Sequence, residues 1–86
     1  MYFVYILENP LERLYIGQTD NVEDRTARHN RGGKKYTSAK EPWSVIYTES
    51  FATRDEALKR EKYLKSLKNP KYIREHIIAS QQLDAR

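Results

Sequence analysis

The sequence predicts an α+β fold in which three mainly antiparallel strands and three helices follow one another in the order ββαβαα. Two observations lead to this prediction. Three short stretches are rich in β-branched and aromatic residues, and the segments between and after them carry helix caps and apolar residues at helical spacing. A chain of 86 residues suits one domain. We expect that domain over residues 1–80 and a frayed tail over residues 81–86.

The predicted strands cover residues 2–7, 13–17 and 43–51. The first is apolar at successive positions, which is typical of a central strand that is covered on both faces. Asn9 and Pro10 form a turn signal, so the second strand should return antiparallel to the first. In the third strand we expect Val45 and Tyr47 on one face of the sheet and Ile46 on the other.

The predicted helices cover residues 22–31, residues 54–67 and a segment that begins at Pro70. Each follows side chains that favour a helix N-terminus: Thr19 and Asn21, then Thr53 with Glu56 in a capping box, then Asn69 before Pro70. The first helix contains only two apolar residues, Val22 and Ala27, and should end at Gly32 and Gly33. We therefore expect this helix to serve through the polar side chains that it displays.

Positive charge is concentrated in two parts of a chain whose net charge is +4. Residues 25–40 hold six basic side chains and no acidic one, and residues 59–74 hold seven with Glu61 as the only acid. Such stretches suit a polyanion, because each neutralised phosphate releases condensed counterions. The alternative is that lysine-rich helices are simply well solvated. The residues that we expect to bind nucleic acid are Arg28, Arg31, Lys34, Lys35, Lys59, Lys62 and Lys65.

The composition also excludes several classes of protein. The chain has no cysteine, so it can hold neither a disulfide framework nor a thiolate zinc site. The apolar run over residues 2–7 is too short to span a membrane and lacks the flanks of a secretory signal. We expect a cytoplasmic protein that is a monomer by default and uses neither a membrane nor an organic cofactor.

Glu61 is the sharpest anomaly in the sequence. The apolar stripe of its helix consists of Ala57, Leu58, Leu64 and Leu67. Glu61 lies within that stripe by helical spacing, and a carboxylate directed at a core is unfavourable unless it is paired or bound to a metal. Two structural alternatives stay open: Glu61 at the edge of the stripe, or Glu61 in a buried ion pair with Arg25.

Two further pairs of residues can support chemistry. Arg25 and His29 are four residues apart and project from one helix face, where a guanidinium suits a phosphate and an imidazole can move protons. Tyr5 and Tyr15 lie on the two strands of the predicted hairpin and can stand side by side, and Gly17 permits close approach. Taken alone, each pair also fits an ordinary surface or core role.

Together these residues resemble the GIY-YIG nuclease superfamily, in particular its short stand-alone bacterial proteins that are similar to the excision-repair nuclease domain. The first motif stands here as Phe3-Val4-Tyr5, and the second is complete as Tyr15-Ile16-Gly17. The motif arginine, histidine and glutamate match Arg25, His29 and Glu61. The five motifs occur in order and at family spacing, which makes the resemblance specific, and it covers about residues 2–78.

The resemblance implies a metal-dependent endonuclease with the catalytic residues Tyr5, Tyr15, Arg25, His29 and Glu61. Glu61 would be the chief ligand of one Mg²⁺ or Mn²⁺ ion, and Arg25 would bind the attacked phosphate. One of the two tyrosines would orient or deprotonate the water, and His29 would relay a proton. An ordinary tyrosine has a pKa of about 10, so a base role requires Arg25, His29 or the metal to lower it.

Several alternatives remain open at this point. The family's late asparagine matches only Asn69, which we interpret as a helix cap. The substrate implied is DNA, cleaved by structure rather than by sequence, in repair or recombination, and RNA is the alternative substrate. The competing functional class is a nucleic-acid-binding module with little or no catalysis.

Overall fold

The computed structural model describes residues 1–31 and 42–79. Its strands are β1 (Tyr2–Glu8), β2 (Leu14–Thr19) and β3 (Ser44–Phe51), and its helices are α1 (Val22–Arg31), α2 (Arg54–Leu67) and α3 (Pro70–Ile73). A π-helical turn over Arg74–Ile78 continues α3. The predicted order ββαβαα is therefore confirmed. The expectations for Gly32, Gly33, Lys34, Lys35 and the tail 81–86 lie outside the described residues.

The sheet has the order β2-β1-β3, and both pairs of neighbouring strands are antiparallel. Strand β1 is thus the central strand, as its apolar sequence predicts. Its residues from Val4 to Leu7 are all fully buried, because helices or other side chains cover both faces of the sheet there.

The two faces of β1 contact different parts of the chain. Val4 packs with Ala57 and Leu64 of α2, and Ile6 packs with residues of β3, α3 and the turn after it. Tyr5 and Leu7 face the other way and pack with Trp43. This alternation places Tyr5 on the face opposite to the α2 core.

The predicted arrangement of side chains in β3 is wrong. Tyr47 pairs with Ile6 while Val45 pairs with Leu7, so an irregularity in β3 leaves Ile46 opposite neither residue. The extra residue puts Val45 and Tyr47 on opposite faces, because Ile6 and Leu7 point in opposite directions. Tyr47 is buried with Ile6, and Ile46 packs against the same cluster, whereas Val45 is exposed.

The helix starts agree with the predicted caps. Asn21 Oδ1 accepts a hydrogen bond from the Asp24 amide at the start of α1. Thr53 and Glu56 form the complete capping box of α2. Asn69 Oδ1 accepts from the Tyr72 amide, so the cap interpretation of Asn69 is confirmed.

One member of the predicted apolar stripe of α2 is misplaced. Leu58 is 44% exposed, whereas Ala57 and Leu64 are fully buried. The face of α2 that meets the sheet therefore runs from Ala57 past Glu61 to Leu64, which sharpens the anomaly at Glu61. Within the described ranges, no helix is long and apolar enough to cross a membrane.

Candidate active site

The Tyr5 ring lies across strand β2 at Gly17, its partner in the β1–β2 pairing. A Cβ atom added at Gly17 would stand 2.6 Å from the Tyr5 hydroxyl oxygen and 2.7 Å from the ring carbon that bears it. No real Cβ makes contacts this short, so the ring can occupy this position only beside a glycine. The sequence predicted a close approach to the backbone at Gly17, and the group that makes this approach is the Tyr5 side chain.

His29 joins the two tyrosines on this face. Its Nε2 lies 3.2 Å from the Tyr5 hydroxyl, and the His29 side chain is buried. The Tyr15 ring meets the imidazole edge-on at a centroid distance of 4.4 Å, and the Tyr5 and Tyr15 centroids are 6.3 Å apart. The two tyrosines are diagonal neighbours, since Tyr5 pairs with Gly17 and Tyr15 with Leu7.

The environment of Tyr5 keeps its phenol protonated. Burial, and after it the neighbouring Tyr15 phenol, raises the pKa of Tyr5 to about 12. Arg25 acts in the opposite direction and does not overcome the burial, while Glu61 adds a small further rise. At neutral pH the protonated Tyr5 hydroxyl therefore shares a hydrogen bond with His29 Nε2, and the hydroxyl is the donor in the tautomer that carries its proton on Nδ1.

Arg25 contributes the positive charge of the site. It projects from α1 one turn before His29, and its guanidinium acts on the Tyr5 phenol. Among the residues that the structure describes, Arg25 forms no salt bridge, and the alternative of a buried Arg25–Glu61 ion pair is absent there. A half-buried guanidinium without a carboxylate partner is suited to a phosphate.

Glu61 reaches the same site from α2. Its side chain is only 18% exposed, and its Oε2 forms an ion pair with Lys65 Nζ at 2.7 Å. The carboxylate is near enough to Tyr5 to influence the phenol electrostatically. Four elements thus supply the candidate residues: β1 supplies Tyr5, β2 supplies Tyr15, α1 supplies Arg25 and His29, and α2 supplies Glu61.

A family model described as the GIY-YIG catalytic domain matches residues 1–73. The chain belongs to the GIY-YIG family. The domain places the protein among nucleases, whose substrates are nucleic acids.

Relatives of this GIY-YIG protein include UPF0213 proteins of similar length. That of Natronomonas pharaonis is 40% identical over 81 residues, which are 93% of either chain. That of Clostridium perfringens is 46% identical over 68 residues, which are 78% of this chain and 73% of that protein. That of Staphylococcus aureus is 40% identical over 74 residues, which are 85% and 90%. No solved structure matches the chain.

The donor atoms of the site fit a hard cation that keeps most of its own water. Among the described residues, no three His, Asp or Glu side chains form a group that could hold a metal ion. The largely buried Glu61 carboxylate is the side chain that could give the cation an oxygen ligand. One carboxylate with waters and substrate phosphate is a donor set typical of Mg²⁺.

The predicted nucleic-acid-binding residues differ in their surroundings. Arg28 forms a 3.6 Å ion pair with Asp24, and Lys59 forms a 3.5 Å pair with Asp55, each between exposed side chains. Lys65 pairs with Glu61. Arg31 and Lys62 are exposed, and Lys34 and Lys35 lie outside the described residues.

Sequence reasoning missed Asn30, which fixes α1 beside the site. The Asn30 side chain accepts from the Trp43 amide at 2.6 Å and donates to the Trp43 carbonyl at 3.1 Å. These two bonds tie the end of α1 to the chain just before β3. A polar residue directly after the motif histidine was the only sign in the sequence that this position matters. Its partner Trp43 lies 13 residues away, so local spacing does not reveal the contact.

Proposed function

We propose that this GIY-YIG protein is a metal-dependent endonuclease that hydrolyses phosphodiester bonds in DNA. The observation that supports this most is the hydrogen bond between Tyr5 and His29, with Arg25 and Glu61 both near enough to act electrostatically on the same phenol. A protonated phenol and a buried imidazole lie in contact there, a guanidinium that forms no salt bridge among the described residues lies beside them, and a largely buried carboxylate lies nearby. Binding alone does not require a buried carboxylate among basic residues.

Arg25 would bind the attacked phosphate and stabilise the charge that develops on its oxygens. Glu61 would hold the divalent cation, Mg²⁺ or Mn²⁺, which when bound supplies Lewis-acid stabilisation of the phosphate. Tyr15 would pack beside the imidazole and hold the phosphate in place, since its ring already contacts His29.

Tyr5 would act as a proton relay between the attacking water and His29. Its pKa of about 12 prevents it from serving as a phenolate base at neutral pH. It can accept a proton from water only while it passes its own proton to His29 Nε2, with which it already shares a hydrogen bond. The water oxygen then attacks phosphorus and the bond to the leaving oxygen breaks. The leaving oxygen takes a proton from solvent, and the His29 imidazolium returns its proton to solvent.

We further propose that recognition depends on DNA structure. The basic side chains of α1 and α2 that flank the site contact phosphates without reading bases, so breaks, branches or single strands fit better than a sequence. We also propose that the protein acts in the cytoplasm, in repair or recombination. RNA is the alternative substrate.

The test compares wild type with Glu61→Ala on branched, nicked and single-stranded DNA and on RNA, with Mg²⁺, with Mn²⁺ and with a chelator. Glu75→Ala is the matched control, because Glu75 is an exposed glutamate outside the site. We expect cleavage by wild type and Glu75→Ala, and loss of about 10²-fold or more in Glu61→Ala. If all three proteins bind these nucleic acids without cleavage, the binding-module function is correct instead.

A further inference from the structure

Gln18 has a buried oxygen without a hydrogen-bond partner. Within residues 1–31 and 42–79, no donor reaches its side-chain oxygen Oε1, although that atom has essentially no contact with solvent. A buried acceptor left unsatisfied is unfavourable, because it has given up its hydrogen bonds to water without gaining others. Native exceptions of this kind call for a physical reason, and a bound ion is one such reason.

The position of Gln18 in the sheet follows from the strand pairing. Val4 pairs with Gln18 on β2 and with Glu49 on β3, so these three residues form one row across the sheet. Gly17 faces Tyr5, and therefore its neighbour Gln18 lies on the opposite face. That is the face on which Val4 packs against Ala57 and Leu64 of α2.

Helix geometry then places Glu61 on the Gln18 side of this row. Arg60 points toward β3, where its guanidinium binds both carboxylate oxygens of Glu49 at 2.9 Å. Successive residues of a helix are about 100° apart, so Glu61 leaves α2 on the other side of the line that faces the sheet. Since β2 is the strand on that side and forms an edge of the sheet, helix geometry directs Glu61 toward the edge that carries Gln18.

We propose that Gln18 Oε1 is the second protein oxygen of the cation site built on Glu61. This inference rests on the proposed function, which already assigns the cation to Glu61. An amide oxygen is a good ligand for Mg²⁺ and Mn²⁺, and such a ligand role satisfies the buried acceptor. It also gives the site a protein ligand on the rigid sheet in addition to one on α2.

The competing arrangement exchanges the positions of Oε1 and Nε2 in the Gln18 amide. In that arrangement Nε2 donates a hydrogen bond to the Glu61 carboxylate, and no cation is needed. The two arrangements differ in what a carboxylate at position 18 would do. A second carboxylate strengthens a cation site, whereas it repels Glu61 when no cation is shared.

The experiment measures Mn²⁺ affinity by electron paramagnetic resonance without nucleic acid, in wild type, Gln18→Met, Gln18→Glu and Glu61→Gln. We expect Mn²⁺ binding to weaken about tenfold or more in Gln18→Met and in Glu61→Gln, and to strengthen in Gln18→Glu. In urea without metal, Gln18→Met should be at least as stable as wild type, because methionine removes the unsatisfied oxygen.

Thr53→Ala is the control for stability. It removes the cap of α2 at a distance from the site, so it should lower the free energy of unfolding and leave Mn²⁺ affinity unchanged. Wild-type Mn²⁺ affinity in Gln18→Met, or weaker binding in Gln18→Glu, would overturn the inference.

The inference and the proposed function can fail separately. If Glu61→Gln weakens Mn²⁺ binding and Gln18→Met does not, the role of Gln18 is wrong and the metal-dependent function stands. If wild type itself binds no Mn²⁺, the inference is wrong, and the cleavage assay with and without a chelator decides the proposed function. If Mn²⁺ binds as expected and no nucleic acid is cleaved, the nuclease function alone fails.

Discussion

At the scale of single residues, the site depends on the missing side chain at Gly17. The Tyr5 hydroxyl reaches His29 because its ring lies across β2 where no Cβ is present. The glycine of the second motif thus places the phenol of the first. The first motif therefore requires the second for a steric reason: the tyrosine ring of one needs the glycine of the other.

Gly17→Ala should displace the Tyr5 ring and destabilise the protein by about 1–3 kcal/mol, because overpacking strains a well-packed site. Urea unfolding of a double-mutant cycle with Tyr5→Ala measures this. In the Tyr5→Ala background, Gly17→Ala should have little effect on the free energy of unfolding, since the ring that the new Cβ would meet has been removed. An equal loss in both backgrounds would show that the Tyr5 ring is not what Gly17 accommodates.

Lys65 competes with any cation for Glu61, because its Nζ already pairs with Oε2. Lys65→Met should therefore tighten Mn²⁺ binding about two- to fivefold, in line with an exposed ion pair. Lys62→Met is the matched control: Lys62 is an exposed lysine of the same helix, and its loss removes the same charge. If both variants bind Mn²⁺ equally, only net charge matters and the ion pair does not compete.

At the scale of elements, α1 is held largely by polar contacts. It has few apolar residues, and the bonds from Asn30 to Trp43 and from Tyr5 to His29 tie it to the sheet. Since α1 supplies both Arg25 and His29, its position determines the geometry around the phosphate.

Asn30→Ala should therefore impair cleavage more than its effect on stability explains. Loss of two hydrogen bonds should lower the free energy of unfolding by about 1–3 kcal/mol, and a shift of α1 should slow cleavage about 10²-fold. Thr53→Ala, with a loss of about 1 kcal/mol, should cleave at the wild-type rate while folded. Single-turnover rates and urea unfolding measure both quantities, and parallel losses in the two variants would contradict this role of α1.

The elements were predictable where their determinants are local in sequence. The capping box of Thr53 and Glu56 and the cap at Asn69 depend on residues within one turn, and both are present. The irregularity in β3 was not predictable, because it is set by how Tyr47 and Val45 pair with β1. Strict alternation assumes a regular strand, and no local residue signals the exception.

The candidate site was predictable to a similar extent. Helical spacing placed Glu61 on the inner face of α2, and strand pairing brought Tyr5 beside Tyr15. The ion pair to Lys65, the orphaned oxygen of Gln18 and the raised pKa of Tyr5 required the three-dimensional surroundings. A pKa or an unsatisfied acceptor depends on packing, which spacing does not give.

At the scale of the whole molecule, two buried tyrosines link stability to alkaline pH. The pKa of Tyr5 is about 12 through burial and Tyr15, and that of Tyr47 is about 12 through burial and its hydrogen bond to Glu49. In the unfolded chain both ionise near pH 10. Between pH 10 and 12 the unfolded state loses protons that the folded state keeps, so stability falls in that window and is unaffected below it.

Urea unfolding should show a loss of about 2–3 kcal/mol between pH 9 and pH 11 from these two groups together. Tyr5→Phe and Tyr47→Phe should each remove about half of this dependence, because phenylalanine does not ionise. Ultraviolet titration should show the same two tyrosines ionising last. An unchanged pH dependence in both variants would contradict the raised pKa values.

The most direct test of a hydrolytic site at Tyr5, Arg25 and Glu61 is to separate cleavage from binding in Glu61→Gln. Single-turnover cleavage and dissociation constants would be measured on the DNA that wild type cleaves best, at one salt concentration. We predict that Glu61→Gln binds this DNA at least as tightly as wild type and cleaves it about 10²-fold or more slowly. Cleavage by Glu61→Gln at the wild-type rate, with binding unchanged, would contradict the site.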